Sequence, residues 1–170
     1  MTIRPLPIVF SAAVALACAS ALATADQVRR QGPARPTVPM EVSLKLAGEV
    51  YDAKTEGTCT HAPKASIYGV LSEMWTVRHK DDGRSVQLTL WKPADGSPSM
   101  FSLSANGKKS WTISTVRGGE VSGTGTVTMT PAAKGGTFSI DAKGKAGEAV
   151  SGTIKCEAFT PAIAEGGNQP

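Results

Sequence analysis

Ser85-Val86-Gln87-Leu88-Thr89-Leu90 and, ten residues further on, Phe101-Ser102-Leu103-Ser104-Ala105 decide the fold. In both runs every second side chain is apolar and the ones between are polar. That period of two belongs to a strand with one face buried and one face in water; a helix would repeat every 3.6 residues. The same alternation recurs on both sides. Val42, Leu44 and Leu46 alternate with Ser43 and Lys45, and Trp75, Val77 and His79 with Thr76 and Arg78. Trp111 and Ile113 follow, then Val127 and Met129 flanked by threonines, then Phe138, Ile140 and Ala142. Val150, Ile154, Cys156 and Ala158 share one parity at the end.

Turn chemistry separates these runs. Asp81-Asp82-Gly83-Arg84 and Asn106-Gly107 suit tight hairpins, because Gly and Asn accept positive φ at low cost. Gly118-Gly119, Gly135-Gly136 and Lys143-Gly144 mark three further breaks. Short strands at this spacing predict an all-β fold: an antiparallel β-sandwich of about seven to nine strands, with a small β-barrel as the alternative. Val121-Ser122-Gly123-Thr124 returns as Val150-Ser151-Gly152-Thr153. Four residues are too few for a repeat unit; a Gly inside a strand marks a bulge or a close backbone approach.

The ends of the chain read differently. Arg4 precedes an apolar run from Ile8 to Ala23, which closes on Ala23-Thr24-Ala25 before the polar Asp26. This is the layout of a cleaved bacterial signal peptide over residues 1–25, helical in its apolar part. The run is short and alanine-rich for a membrane anchor. Leu16-Ala17-Cys18 resembles a lipoprotein box, although Ala15 stands where that box prefers Leu, and Cys18 lies inside the apolar run. The expected location is therefore periplasmic or secreted, with a lipoprotein anchored through Cys18 as the alternative. Residues 26–40 hold three arginines and three prolines and read as a flexible linker. Residues 41–160 form one β domain, long enough for a single core, and 161–170 a disordered tail. No segment of the mature chain is apolar enough for a transmembrane helix.

Eighteen basic against 14 acidic side chains give +4; Arg4 leaves with the signal, so the mature chain carries +3. The charges are interleaved, which argues against nucleic acid as a partner. With the signal removed, two cysteines remain, Cys59 and Cys156, and an even count in an exported chain predicts a disulfide. The order Cys59, Trp75, Cys156 is that of an immunoglobulin domain. The spacing from Trp75 to Cys156 is too long, however, and Ile154 stands where that family has Tyr. Cys59-Thr60-His61 also offers a thiol and an imidazole on one side of an extended segment, short of the four ligands of a closed zinc site. Oxidation of Cys59 removes the thiolate, so no metal and no cofactor are expected.

Trp91 is out of phase with Leu88 and Leu90 and should face away from the core. An outward Trp on a sheet can stack on a sugar ring or anchor a protein partner; the plainer reading has it covered by a loop next to Pro93. Tyr51 and Tyr68 could extend such a stacking surface. No nucleophile elbow, phosphate loop or recognisable histidine motif is present. The expected function is that of an exported, non-catalytic binding or cell-envelope protein whose ligand is a glycan, an envelope component or a protein. The alternative is a small exported enzyme, or an enzyme inhibitor, with a loop-built site. A concave pocket holding His61 or His79 beside a carboxylate points to the enzyme, and a flat face centred on Trp91 to binding.

Overall fold

A computed structural model describes residues 36–117 and 121–162. The signal peptide and Cys18, the linker as far as residue 35, and the tail from residue 163 lie outside the described residues. The strands run in chain order as β1 (Val38–Leu46), β2 (Glu49–Ile67), β3 (Val70–Asp81), β4 (Arg84–Pro93) and β5 (Met100–Asn106). They continue as β6 (Ser110–Ser114), β7 (Gly123–Pro131), β8 (Gly136–Gly144), β9 (Ala149–Cys156) and the two-residue β10 (Thr160–Pro161). Among the described residues there is no helix. The first strand begins three residues inside the stretch read as linker. Val38 and Met40 continue the inward parity of Val42 and are buried with it. The last strand likewise reaches Pro161, one residue into the expected tail.

Nine strands form one continuous antiparallel sheet in the order β6-β5-β4-β3-β2-β1-β9-β8-β7, with β10 added in parallel to β2. The sheet curls nearly into a barrel. Its free edges approach at β6 and β7, where the Ser122 amide donates to the Ser114 carbonyl at 3.0 Å. The sandwich and barrel readings converge through β2, which is 19 residues long and belongs to both halves. Residues 49–57 of β2 pair with β1, and Thr58 onward pairs with β3. The corner falls at Gly57, where a Cβ would overlap the Met40 sulfur and the Arg78 carbonyl oxygen. Only glycine lets the backbones come this close.

The inward side chains of both halves make a single core. Phe101, Leu88 and Ile113 meet it from one half, and Phe138, Ile154 and Val42 from the other, all at most 1% exposed. Burying a side chain of this kind is worth roughly 1.5–3 kcal/mol. Gly152, in the repeated Val-Ser-Gly-Thr stretch, sits at φ +138°, and a Cβ there would overlap the Ser43 carbonyl oxygen on β1. It marks a close backbone approach, as its place inside a strand implies.

The hairpins show two kinds of turn. Asp81 pairs with Arg84 across Asp82-Gly83, and of those two residues only Gly83 takes positive φ. Ala47-Gly48 and Tyr68-Gly69 have positive φ at both positions, the mirror-image type I turn that matches strand twist. They join β1 to β2 and β2 to β3.

Cys59 and Cys156 form the expected disulfide, with Cα atoms 6.3 Å apart across a sequence separation of 97. Both are essentially unexposed. The bond ties the second half of β2 to the end of β9 and so staples the two halves together.

Candidate functional site

Past Cys156 the chain turns back over one end of the barrel. The Glu157 amide donates to the Pro39 carbonyl, and the Phe159 amide to the Lys134 carbonyl at 2.9 Å. Thr160 and Pro161 then run beside Thr60 and His61 as β10. The Thr160 hydroxyl donates to the Cys59 carbonyl at 3.1 Å, and the Ala162 amide to that of His61 at 3.0 Å. This strap, residues 157–162, crosses the mouth without filling it.

Beneath it lies a cleft of about 840 Å³, within the range of roughly 300–1,000 Å³ typical of small-molecule sites. One wall comes from β2, β3 and β4 through His61, Glu73, Trp75, Leu90 and Lys92. The facing wall is Val127, Thr128 and Met129 of β7 with the turn from Pro131 to Gly135, and the strap contributes Phe159 to Pro161. The floor is thus the exposed edge of the core, since Trp75, Leu90 and Val127 are each at most 5% exposed.

Cross-strand register positions the polar groups. His61 lies directly opposite Trp75, and their rings stack with centroids 4.9 Å apart and planes 6° from parallel. Glu73 is two residues before Trp75 and so reaches the same imidazole diagonally. Its Oε1 is 3.3 Å from His61 Nε2. That distance suits an ion pair, but the alignment is too poor for a hydrogen bond, and Nε2 is a buried nitrogen without a hydrogen-bond partner. Lys92 stands opposite Glu73 on β4. Phe159 leans on His61 at 6.2 Å and edge-on against Phe138 at 6.0 Å.

The three aromatic residues singled out from the sequence are not brought together. Trp91 lies on the outward face, flanked in register by Met74 and Met100, and is half-buried there. Tyr51 is only 3% exposed and points into the barrel, so it has no part in an outward stacking surface. It shares parity with Cys59 through Ala53, Thr55 and Gly57, and that parity faces the core. Tyr68 is 61% exposed at the tip of the β2–β3 turn.

The second histidine belongs to the other end of β3. His79 is buried, with Nε2 3.4 Å from Asp81 Oδ2, and Arg84 donates to the same oxygen at 3.2 Å. The Arg84 guanidinium also covers the Tyr51 ring at 4.8 Å. Burial raises the Asp81 carboxyl, but the hydrogen bonds and charges of His79 and Arg84 outweigh it and hold the group below the ordinary carboxylate range. Burial, then the Asp81 charge, pushes the Tyr51 phenol up, against a smaller opposing pull from Arg84.

Among the described residues no group of three or more His, Cys, Asp or Glu side chains could hold a metal ion. Cys59, the thiol of the Cys59–His61 pair, is spent in the disulfide. No helix among them is long and apolar enough to cross a membrane. Comparison with protein families, with curated proteins and with solved structures finds no match.

Of the residues around the cleft the sequence singles out His61, beside Cys59 and as one of two histidines to seek next to a carboxylate in a concave pocket, and that is where it lies. No sequence pattern marks Glu73, Lys92 or Lys134. Phe159 offered the one usable signal: a large apolar residue three positions beyond a disulfide cysteine, next to a stretch read as tail.

Proposed function

We propose that the mature protein is an exported binding protein of the bacterial envelope or exterior, and that its ligand sits in the cleft under the strap. The observation that carries this reading is the cleft itself: an apolar floor of Trp75, Leu90, Val127 and Phe159, with a few polar groups at its rim. Concave, mainly apolar sites with a few converging polar groups are how small ligands are held, and the mouth of a barrel is a frequent place for them. Export is supported by the signal-like N-terminus and by the buried disulfide, which persists in oxidising compartments. Protein-detected NMR with soluble envelope extracts and muropeptides tests the reading. Shift changes should gather at His61, Trp75, Met129 and Phe159. Changes confined to Trp91 and Tyr68, or none from any extract, would sink it.

A second reading has its own observation. His61 beside Glu73 in a concave site is the feature that the sequence marks as pointing to an enzyme: a carboxylate within ion-pair range of the buried Nε2, not hydrogen-bonded to it, with Nδ1 as the candidate general base. On this reading the protein is a small exported hydrolase that activates a water. Turnover of an ester, amide or glycoside panel that is abolished in E73Q and in H61A would establish it. No turnover with any member would leave binding as the function.

A further inference from the structure

We infer that the cleft selects a single-chain amphiphile with an anionic head, a carboxylate or a phosphate monoester; this rests on the binding reading given above. The floor is built for a hydrocarbon chain. Trp75, Leu90 and Val127 show only narrow apolar edges to the cleft, and the half-buried Met129 and Phe159 supply the rest of its apolar lining; a thioether adapts to an irregular chain better than a branched side chain does. A sugar would need a dense set of free hydrogen-bonding groups around it. Of the three hydroxyls lining the cleft, that of Thr160 is already committed to the Cys59 carbonyl, which leaves those of Ser99 and Thr128.

The head is argued from charge. Lys92 and Lys134 line the cleft from opposite walls, one on β4 and one in the turn before β8, and among the described residues Glu73 is the only acid lining it. Glu73 is turned toward His61 at 3.3 Å. Two ammonium groups against one paired carboxylate leave the rim net positive. Long lysine stems can lie along the apolar wall while their charged ends meet an anion at the mouth. A cationic head would face both lysines, and a neutral head would leave them with no partner from the ligand.

The test uses the full mature, disulfide-bonded protein with four probes of one chain length: decanoate, decyl phosphate, decanol and decyltrimethylammonium. All are kept below their micellar concentrations. Binding is read from tryptophan fluorescence and located by NMR. At low salt, decanoate or decyl phosphate should bind about tenfold more tightly than decanol, with the cation weakest. The two anions, compared with each other, tell a carboxylate site from a phosphate site. K92Q/K134Q should bring the anions down to the level of decanol, with an unchanged denaturation midpoint showing that the variant is folded. Equal affinity for decanol and the anions, located at the cleft, would overturn the charge argument and leave the binding reading intact. Failure of all four probes, with muropeptides still binding at the cleft, would overturn this inference alone. Failure of the probes and of every extract would overturn both.

Discussion

The two ends of β3 carry the same pair of side-chain types in different surroundings. At one end His61 meets Glu73, and at the other His79 meets Asp81; His61 lies opposite Trp75, so the two imidazoles are about 13 Å apart along the strand at 3.3 Å per residue. The His79 side chain is 1% exposed and that of His61 30%. What differs is the cover. The His79 end is shut by a two-residue turn, with Arg84 folded across Tyr51 and bonded to Asp81. The His61 end is roofed by a strap that, among the described residues, pairs through Thr160 and Pro161 and follows directly on a disulfide. A histidine–carboxylate pair is thus hydrogen-bonded and enclosed at one end, and at the other left without that bond and facing a cleft. The residues do not decide which pair can act; the element lying over them does.

The comparison breaks most visibly if the strap is unfastened. Replacing both cysteines, as C59A/C156A, should lower stability by roughly 4–5 kcal/mol on the chain-entropy account of a loop this long, less if native strain is relieved. The loss should also be uneven. Hydrogen exchange should accelerate at Phe159 and Ala162, whose amides bond to the Lys134 and His61 carbonyls, well before it accelerates in β3 and β4 around His79. Uniform loss of protection across both ends would show that the disulfide braces the whole barrel and that the strap is no separate unit.

This contrast explains why one part of the molecule was legible in the sequence and another was not. Strands such as β4 and β5 are visible because each alternates Leu, Val or Phe with Ser, Thr or Gln over a whole run. The cysteine pair was visible because compartment and parity agreed. The longest strand, β2, was invisible. Its inward residues between Tyr51 and Cys59 are Ala53, Thr55 and Gly57, too small or polar to register as a hydrophobic face. A register shift between Ala62 and Ala65 then breaks the phase. The turns at Ala47-Gly48 and Tyr68-Gly69 were lost with it, since Ala and Tyr are poor advertisements for positive φ. The cleft needed contacts between residues about a hundred apart, Phe159 on His61 and Thr160 on Cys59, and no local pattern encodes those.

The closed end should reveal itself through acid. Asp81 is held below the ordinary carboxylate range in the folded protein, while in the unfolded chain it titrates near 3.9. A group with a depressed folded pKa contributes stability that is present above the unfolded value. That contribution is lost as pH falls from about 4 through the folded pKa. D81N removes the titration. Denaturation midpoints measured from pH 7 down to pH 2.5 should therefore fall less steeply below pH 4 in D81N than in the native protein. Parallel curves would mean that His79 and Arg84 do not hold the carboxylate, and the closed end would lose its electrostatic latch.

The smallest effect is expected at Tyr51, and it sharpens the account of that end. Its hydroxyl is buried without a hydrogen-bond partner, as are Nδ1 of His79 and Oδ1 of Asp81. An unpaired buried hydroxyl has given up its bonds to water for nothing in return. Y51F removes that oxygen and keeps the ring, so the Arg84 guanidinium still lies over an aromatic face and the packing against His79 is retained. The thermal midpoint should stay level or rise, a change of no more than about 1 kcal/mol. A clear loss would carry the opposite lesson. It would mean that the three polar atoms are joined through ordered water, which needs two to four such partners to be held inside a protein. The closed end would then be a connected polar network, and the tyrosine part of what shuts it.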